Sequence, residues 1–271
     1  MDVVDSQVHL FLNMDARQGL AAMDALGIRS TLIDEYWALD AGGTPTNAFS
    51  LVNGARRRVH PGAEMASFQH PDRFAYLVKL TRDDPMVEAL FELAAQHPHV
   101  RAVRVDVRAE SEVMALEQGA YSSFFRAAQR SGLPLFVLLP TDRAPTLRAS
   151  LEAFPDLRFV LDHCGMPSNA QRFTTDVLPL ARLPNLHLKW CHAPAKLSAT
   201  SYPFADCIQY LQRSIDAFGV ERILWASDFT AIRTGTTWAE SLFYLRHAAA
   251  LADSDREWIL GRSARKLLAW H

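Results

Sequence analysis

The chain has 271 residues, of which 49% are hydrophobic and 21% are charged, and its formal net charge at pH 7 is -2. This composition is ordinary for a globular protein with a large core, and the nearly neutral charge gives no reason to expect nucleic acid or an anionic membrane as a partner. The cysteines, Cys164, Cys191 and Cys207, are widely spaced and form no CxxC, which argues against a disulfide framework or a thiolate zinc site and predicts buried free thiols.

Nothing in the sequence indicates a targeting segment or a membrane span. The N-terminus lacks a positively charged region followed by an apolar one, and no window approaches the roughly 18 to 20 apolar residues that a span needs. We therefore expect a cytoplasmic protein whose partner is a small molecule. The sequence leaves open a homo-oligomer.

Eight short runs of β-branched and aromatic residues have strand length, and each is followed by a longer segment with apolar residues at helical spacing. The predicted strands are residues 3–11, 30–37, 74–80, 100–107, 133–140, 157–165, 185–192 and 222–229. Strict alternation predicts parallel strands with crossover helices, and eight repeats in this length favour an α/β fold, a single distorted (β/α)8 TIM barrel over residues 1–271. A doubly wound sheet is the alternative, but no GxGxxG or GxxxxGK[ST] follows the first strand.

Between the predicted strands, helical spacing is clearest at residues 83–96, 121–132 and 203–219. The long stretch 41–61 contains two adjacent glycines, a proline and three consecutive arginines, and it is interpreted as an extended loop between the second and third units. Loops of this length often form the rim or lid of a site.

Polar side chains fall at the C-terminal ends of most of the predicted strands. They are Asp5, Gln7, His9, Asp34, Glu35, Tyr36, Arg104, Asp106, Arg108, Asp162, His163, Lys189, His192, Ser227 and Asp228. A barrel builds its active site at this end, and buried charges need partners, so a concave polar pocket is predicted there.

Three motifs in this order carry a resemblance to a known family. Residues 5–9 form a DxHxH-like motif, residues 161–165 read LDHCG, and Ser227-Asp228 closes the last strand before the final segment ILGRSARKLL. Together they resemble the amidohydrolase superfamily, and within it the amidohydrolase-related (amidohydrolase 2) family of lactonases and non-oxidative decarboxylases. The resemblance spans the whole chain, from Asp5 to Leu268.

In metal-dependent members of that family, strand one supplies two histidines, a later strand another and strand eight an aspartate. The resemblance places Gln7 and His9, His163 and Asp228 at these positions. Gln7 replaces a histidine, and strand five ends in Leu-Pro without one; a neutral amide is a poorer zinc ligand than imidazole. We therefore predict catalysis by Asp228, His163 and His9 with no bound metal. The alternative is one zinc at His9, His163 and Asp228 with Gln7.

Four residues are predicted to contact the substrate: Gln7, Arg104, Lys189 and Tyr36. By strand alternation Arg104 faces opposite to Arg101, and its guanidinium would suit a substrate carboxylate. Tyr36 is interpreted as an aromatic wall.

Strand alternation also limits two neighbouring pairs at the strand ends. Lys189 and His192 have opposite parity, so it allows only one of them into the pocket. It separates Asp162 from His163 in the same way, and the family pattern favours His163.

The preferred prediction is hydrolysis of a small, carboxylated lactone. Asp228 would act as general base on a water near His9, while His163, with Arg104 or Lys189, stabilises the developing oxyanion. One alternative is a zinc-dependent decarboxylase of an aromatic or unsaturated acid. A second is a barrel that binds a small ligand without catalysis.

Overall fold

The computed structural model describes residues 1–39, 46–229 and 236–271. Its strands, in chain order, are β1 (Val4–Val8), β2 (Ser30–Ile33), β3 (Ala48–Ser50), β4 (Arg56–Arg58), β5 (Phe74–Lys79), β6 (Val100–Asp106), β7 (Leu135–Leu138), β8 (Phe159–Leu161), β9 (Leu186–Trp190) and β10 (Ile223–Trp225). Eight of them form one parallel sheet in the order β1-β2-β5-β6-β7-β8-β9-β10. The backbone N–H of Asp228 donates to the carbonyl of Gln7 at 3.0 Å, which brings the last strand's end to the first strand. The predicted distorted (β/α)8 barrel is confirmed.

Helices follow the strands around this nearly closed barrel. They are α1 (Ala16–Leu26), α2 (Pro61–Gln69), α3 (Val87–Gln96), α4 (Glu110–Glu117), α5 (Ser122–Ser131), α6 (Arg148–Ala153), α7 (Ala170–Arg172), α8 (Ala193–Leu197), α9 (Ala205–Phe218), α10 (Trp238–Arg246), α11 (Asp253–Glu257) and α12 (Ser263–Leu268). The three segments with the clearest helical spacing are therefore helical, as α3, α5 and α9. Among the described residues, every helix falls short of the length and apolar character that a membrane crossing requires.

Local sequence explains where several elements begin and end. Strands β1 and β2 are buried at every position, as expected for parallel strands covered on both faces. Helix α1 begins at a capping box in which the Asp15 carboxylate accepts from the backbone N–H of Gln18 at 2.7 Å. It ends at Gly27, whose φ of 72° is in the left-handed region that glycine adopts without strain.

The final helix closes the barrel at the end opposite to the predicted site. Leu267, Leu268 and Trp270 pack in one buried cluster with inward-facing strand residues such as Val4 and Phe136. A Cβ on Gly261 would lie 1.8 Å from the backbone carbonyl oxygen of Asp2, so only glycine fits between this segment and the N-terminus. Packing thus explains the apolar residues and the glycine of the final segment ILGRSARKLL.

The stretch 41–61 was predicted to be an extended loop, but part of it has regular structure. Strands β3 and β4 pair antiparallel within it, with Ala48 opposite Arg58, and α2 begins at Pro61. The Asn47 amide holds this hairpin by donating to the carbonyls of Glu35 and Val59 at 3.2 and 2.8 Å. Residues 41–45 of the predicted loop lie outside the described residues.

Candidate functional site

The ends of β1, β8, β9 and β10 bring three histidines around one carboxylate. Asp228 Oδ1 lies 2.7 Å from His9 Nε2, and its Oδ2 lies 2.7 Å from His192 Nε2 and 3.9 Å from His163 Nδ1. Burial opposes ionisation of Asp228, but the nearby His9 and His192 outweigh it and hold the pKa of this carboxyl well below its usual range. Asp228 is therefore an ionised base with two imidazole partners.

Three of these residues have left-handed backbone conformations. The φ angles are 51° at His163, 55° at His192 and 48° at Asp228, and each residue lies two or three positions beyond the last residue of its strand. Non-glycine residues seldom adopt this region, at a cost on the order of 1–3 kcal/mol each, and such residues concentrate at functional sites. This conformation turns the side chains toward a common centre.

Two expectations from strand alternation are wrong because β8 ends before Asp162 and His163, and β9 ends before His192. Asp162 and His163 both enter the site: Asp162 Oδ2 lies 2.6 Å from Arg104 Nε, and His163 Nε2 lies 2.9 Å from Arg104 Nη2. Lys189 also points inward from β9, with Nζ 2.5 Å from Asp162 Oδ1, while His192 reaches Asp228 from beyond the strand. Alternation holds only within a regular strand.

Arg104 organises a buried ionic network beneath the cluster. Besides its contacts with Asp162 and His163, its Nη1 lies 2.5 Å from Asp34 Oδ2, so all three guanidinium nitrogens are engaged. Because a guanidinium only donates, His163 Nε2 must accept, and the neutral ring carries its proton on Nδ1. Burial and the charges of Lys189 and Arg104 hold the pKa of His163 well below its usual value.

Gln7 and Lys189, both predicted substrate contacts, are fully buried. Lys189 Nζ donates to Gln7 Oε1, and Gln7 Nε2 lies 3.1 Å from His9 Nε2. The amide oxygen that would have bound a metal therefore faces an ammonium group. As substrate contacts, both residues stay predictions.

Tyr36 stacks on His9 with ring centroids 4.1 Å apart, as a wall beside the cluster. Its hydroxyl accepts from Lys79 Nζ at 2.6 Å, and Lys79 also pairs with Asp34 at 2.8 Å. Burial, with the charges of Arg104 and Arg58, lowers the pKa of Lys79 to about 7 against the opposing effect of Asp34. Lys79 was not among the predicted site residues, although a lysine at the C-terminal end of an otherwise apolar strand was the available signal.

A cavity of about 230 Å³ lies beside the cluster. Tyr36 and Arg104 line this cavity and also contact the cluster, Tyr36 at His9 and Arg104 at His163. Six cationic side chains line it: Arg56, Arg58, Lys79, Arg82, Arg104 and Arg108. Three acidic ones line it: Asp83, Asp106 and Glu112. The excess of positive charge suits a small anion, which clefts of one sign attract.

A group that could hold a metal ion lies on the other side of Asp228. His163, Cys191, His192 and Asp228 each offer one ligand atom, and these atoms all lie within 4.8 Å of one another. Nitrogen, sulfur and oxygen donors of this kind suit zinc. The prediction of no metal is therefore left without support, and the candidate ligands differ from the predicted set of His9, His163 and Asp228 with Gln7. Cys191 and His192 were not predicted as ligands, although two adjacent metal-binding residue types at the end of a predicted strand could have indicated them.

Comparisons with known proteins agree with this architecture. An amidohydrolase from Burkholderia multivorans with bound zinc matches 100% of each chain at 18% identity and a TM-score of 0.74. A probable 2-pyrone-4,6-dicarboxylic acid hydrolase from Acinetobacter baumannii, with citric acid bound, matches 99% of this chain and 100% of its own at 13% identity and a TM-score of 0.74. A dihydroxybenzoic acid decarboxylase from a Polaromonas species, with manganese and 2-nitroresorcinol bound, matches 99% and 97% at 13% identity and a TM-score of 0.68.

At these identities the structural likeness establishes the fold alone. A comparison with curated protein sequences found no match. The family model described as Amidohydrolase, however, matches residues 4–270, nearly the whole chain. The chain therefore belongs to the amidohydrolase-related family.

Proposed function

We propose that this protein hydrolyses a small, carboxylated lactone, with Asp228 as the general base. The observation that carries the proposal is the ionised Asp228 carboxylate, held by His9 and His192 beside a cavity with an excess of cationic side chains. Membership of a family with hydrolases and decarboxylases among its structural neighbours supports an enzyme. The neighbours' substrates are compatible with an anionic ring but do not identify one.

The proposed reaction uses groups already in place. Asp228 takes a proton from a water held beside His9, and the water oxygen adds to the lactone carbonyl carbon. The Nδ1–H of His163, which lies 3.1 Å from Cys191 Sγ in the free protein, turns to donate to the developing oxyanion, with the positive charges of Arg104 and Lys189 behind it. The ring C–O bond then breaks, and the proton passes from Asp228 to the leaving oxygen, giving a hydroxy acid.

We propose that this reaction does not need a tightly bound metal. At the metal position expected from the family pattern, the ammonium group of Lys189 contacts Gln7 and the guanidinium of Arg104 contacts His163. Two cations at this place oppose the binding of a third. His163, Cys191, His192 and Asp228 fit zinc better, and a zinc ion held there would polarise a carbonyl and acidify a bound water.

A zinc-dependent decarboxylase of an aromatic acid is the second candidate. The observation that favours it is the contact of His163, one of the four metal-capable residues, with Arg104, which lines the basic cavity where a carboxylate would be bound. Metal dependence separates the two candidates, because only the decarboxylase would need the ion.

The experiment is a panel of carboxylated and neutral lactones, assayed with protein before and after removal of metal by a chelator. Chelated protein should retain hydrolysis of a carboxylated lactone, and Asp228→Asn should lower kcat by about 10² to 10⁴ because the general base is removed. The exposed Asp156 supplies a matched control, since Asp156→Asn should leave kcat unchanged. Hydrolysis of no lactone, together with metal-dependent release of CO2 from 2,6-dihydroxybenzoate, would favour the decarboxylase instead.

A further inference from the structure

Most of the cations that line the cavity already have carboxylate partners. Lys79 pairs with Asp34, and Arg82 contacts Glu112 at 2.9 and 3.1 Å. Arg104 is bound by Asp34 and Asp162, and Arg108 pairs with Asp106. Within residues 1–39, 46–229 and 236–271, no ion pair is found for the two remaining cations, Arg56 and Arg58 of β4.

These two arginines share one face of the β3–β4 hairpin. Arg56 and Arg58 are two positions apart on β4, so their side chains lie on the same side, and both line the cavity. Arg57, between them, contacts Asp84 at 2.9 and 2.7 Å and does not line that cavity. The hairpin therefore places unpaired positive charge over the cavity and paired charge on its other face.

Arg58 is the more enclosed of the two. Arg56 is exposed, whereas the Nη1 atom of Arg58 is buried and, in the described part of the chain, has no hydrogen-bond partner. A buried donor on a charged group is unfavourable when it lacks a partner, so an acceptor brought to it by a ligand is strongly favoured. A carboxylate supplies such acceptors in the geometry that guanidinium matches.

The position of Arg58 connects it to the proposed chemistry. The cavity that it lines is also lined by Tyr36, which stacks on His9, and by Arg104, which contacts His163. Arg104 itself has all three nitrogens engaged and offers less to an incoming anion. A cavity of about 230 Å³ is below the roughly 300–1,000 Å³ of drug-sized ligand sites, which indicates a molecule of about one ring.

We propose that Arg58 is a specificity-determining residue that binds the substrate carboxylate in this cavity. The assignment rests on the proposed function for the identity of the substrate. The guanidinium of Arg58, whose Nη1 lacks a partner, donates to the carboxylate of the ring, and the opposite end of the molecule extends past Tyr36 toward Asp228. Selection for a carboxylated ring over a neutral one follows from this contact.

The test is binding of isophthalate, a one-ring dicarboxylate without an ester bond, to the full-length protein by isothermal titration calorimetry. Wild-type protein should bind it, Arg58→Gln should weaken the affinity at least about tenfold, and Arg58→Lys should weaken it less because a charge remains. Arg126→Gln is the matched control: Arg126 is exposed on α5 and does not line the cavity, so the affinity of this variant should equal that of the wild type. Unchanged affinity in Arg58→Gln, or no binding by the wild-type protein, overturns the proposal.

Binding needs no turnover, so failure of the lactonase proposal and failure of the Arg58 assignment are distinguishable. If the protein hydrolyses a carboxylated lactone, Arg58→Gln should raise KM for that substrate and leave kcat nearly unchanged. The same substitution should not change the kinetics for a neutral lactone. Should Arg58→Gln not fold, Arg58→Lys provides the same test. An Arg58→Lys affinity for isophthalate equal to that of the wild type and of Arg126→Gln counts against the assignment.

Discussion

Lys79 is positioned to make substrate binding depend on pH near neutrality. Burial and the nearby Arg104 and Arg58 lower its pKa to about 7, while Asp34 opposes the shift. A lysine with a lowered pKa is charged below that value and neutral above it. As pH rises through 7, the cavity therefore loses one positive charge at the group that contacts Asp34 and Tyr36.

We expect KM for a carboxylated lactone to rise about three- to tenfold between about pH 6 and about pH 8.5, because neutral Lys79 attracts the anion less. Steady-state kinetics over this range would measure the change. Lys79→Arg is the matched control, since arginine stays charged and should keep KM low and constant across the range. Retention of the wild-type pH profile in Lys79→Arg would assign the titration to another group.

At the level of residues, the sequence predicted part of the cluster. The motif positions led to His9, His163 and Asp228, which the structure brings together. His192 and Cys191 were missed as members because alternation was extended past the end of β9, where the backbone at His192 turns left-handed. The conformation of a non-glycine residue at a strand end depends on tertiary contacts, which one sequence does not reveal.

At the level of elements, hydrogen bonds of Asp5 connect the first strand to the segment that follows the last strand. Its Oδ1 accepts from the backbone N–H groups of Gln7 and Ser227 at 3.1 and 3.0 Å, and its Oδ2 accepts from Ser227 Oγ and from Trp238 Nε1 at 2.7 Å. Burial raises the pKa of Asp5 to about 6, although these four donors oppose the shift. Asp5 is thus a structural member of the strand-one motif, and the sequence prediction gave it no catalytic or substrate-binding role.

Asp5→Asn should lower the free energy of unfolding by about 1–3 kcal/mol, because the asparagine NH2 group would face the Trp238 indole N–H and leave donors without an acceptor. Urea unfolding at about pH 8, where Asp5 is ionised, measures the loss. In the Trp238→Phe background, which lacks that indole donor, Asp5→Asn should lower the free energy of unfolding by a smaller amount. Equal costs in both backgrounds would contradict the role given to the Trp238 contact.

The strand order was predictable and the hairpin was not, for a physical reason. Eight apolar runs at regular intervals can be buried together only by parallel strands with helices over them, so the barrel follows from the pattern. Strands β3 and β4 are three residues each, and β4 is Arg56–Arg58, a sequence that reads as solvated charge. Contacts such as those of Asn47 and Arg57 with residues distant in sequence define this hairpin.

At the level of the whole molecule, zinc and the proposed reaction compete for the same carboxylate. A zinc ion bound by His163, Cys191, His192 and Asp228 would lower the basicity of the carboxylate that accepts the proton. Binding to the folded state alone also stabilises it, by about 2.7 kcal/mol at a free ligand concentration about 100 times Kd. Zinc should therefore raise the thermal stability of the protein and lower its rate of lactone hydrolysis.

Added zinc should raise the thermal midpoint of the chelated wild-type protein and slow its hydrolysis of a carboxylated lactone. Cys191→Ser should reduce both effects, because a hydroxyl is a weaker zinc ligand than a thiolate. Cys207→Ser is the matched control: Cys207 is another buried free thiol, outside the four-residue group, and its replacement should leave both responses to zinc intact. Differential scanning fluorimetry and the lactone assay measure the two responses. Faster hydrolysis with zinc would show that the metal assists the reaction, and an unchanged midpoint would show that these four residues do not form a zinc site.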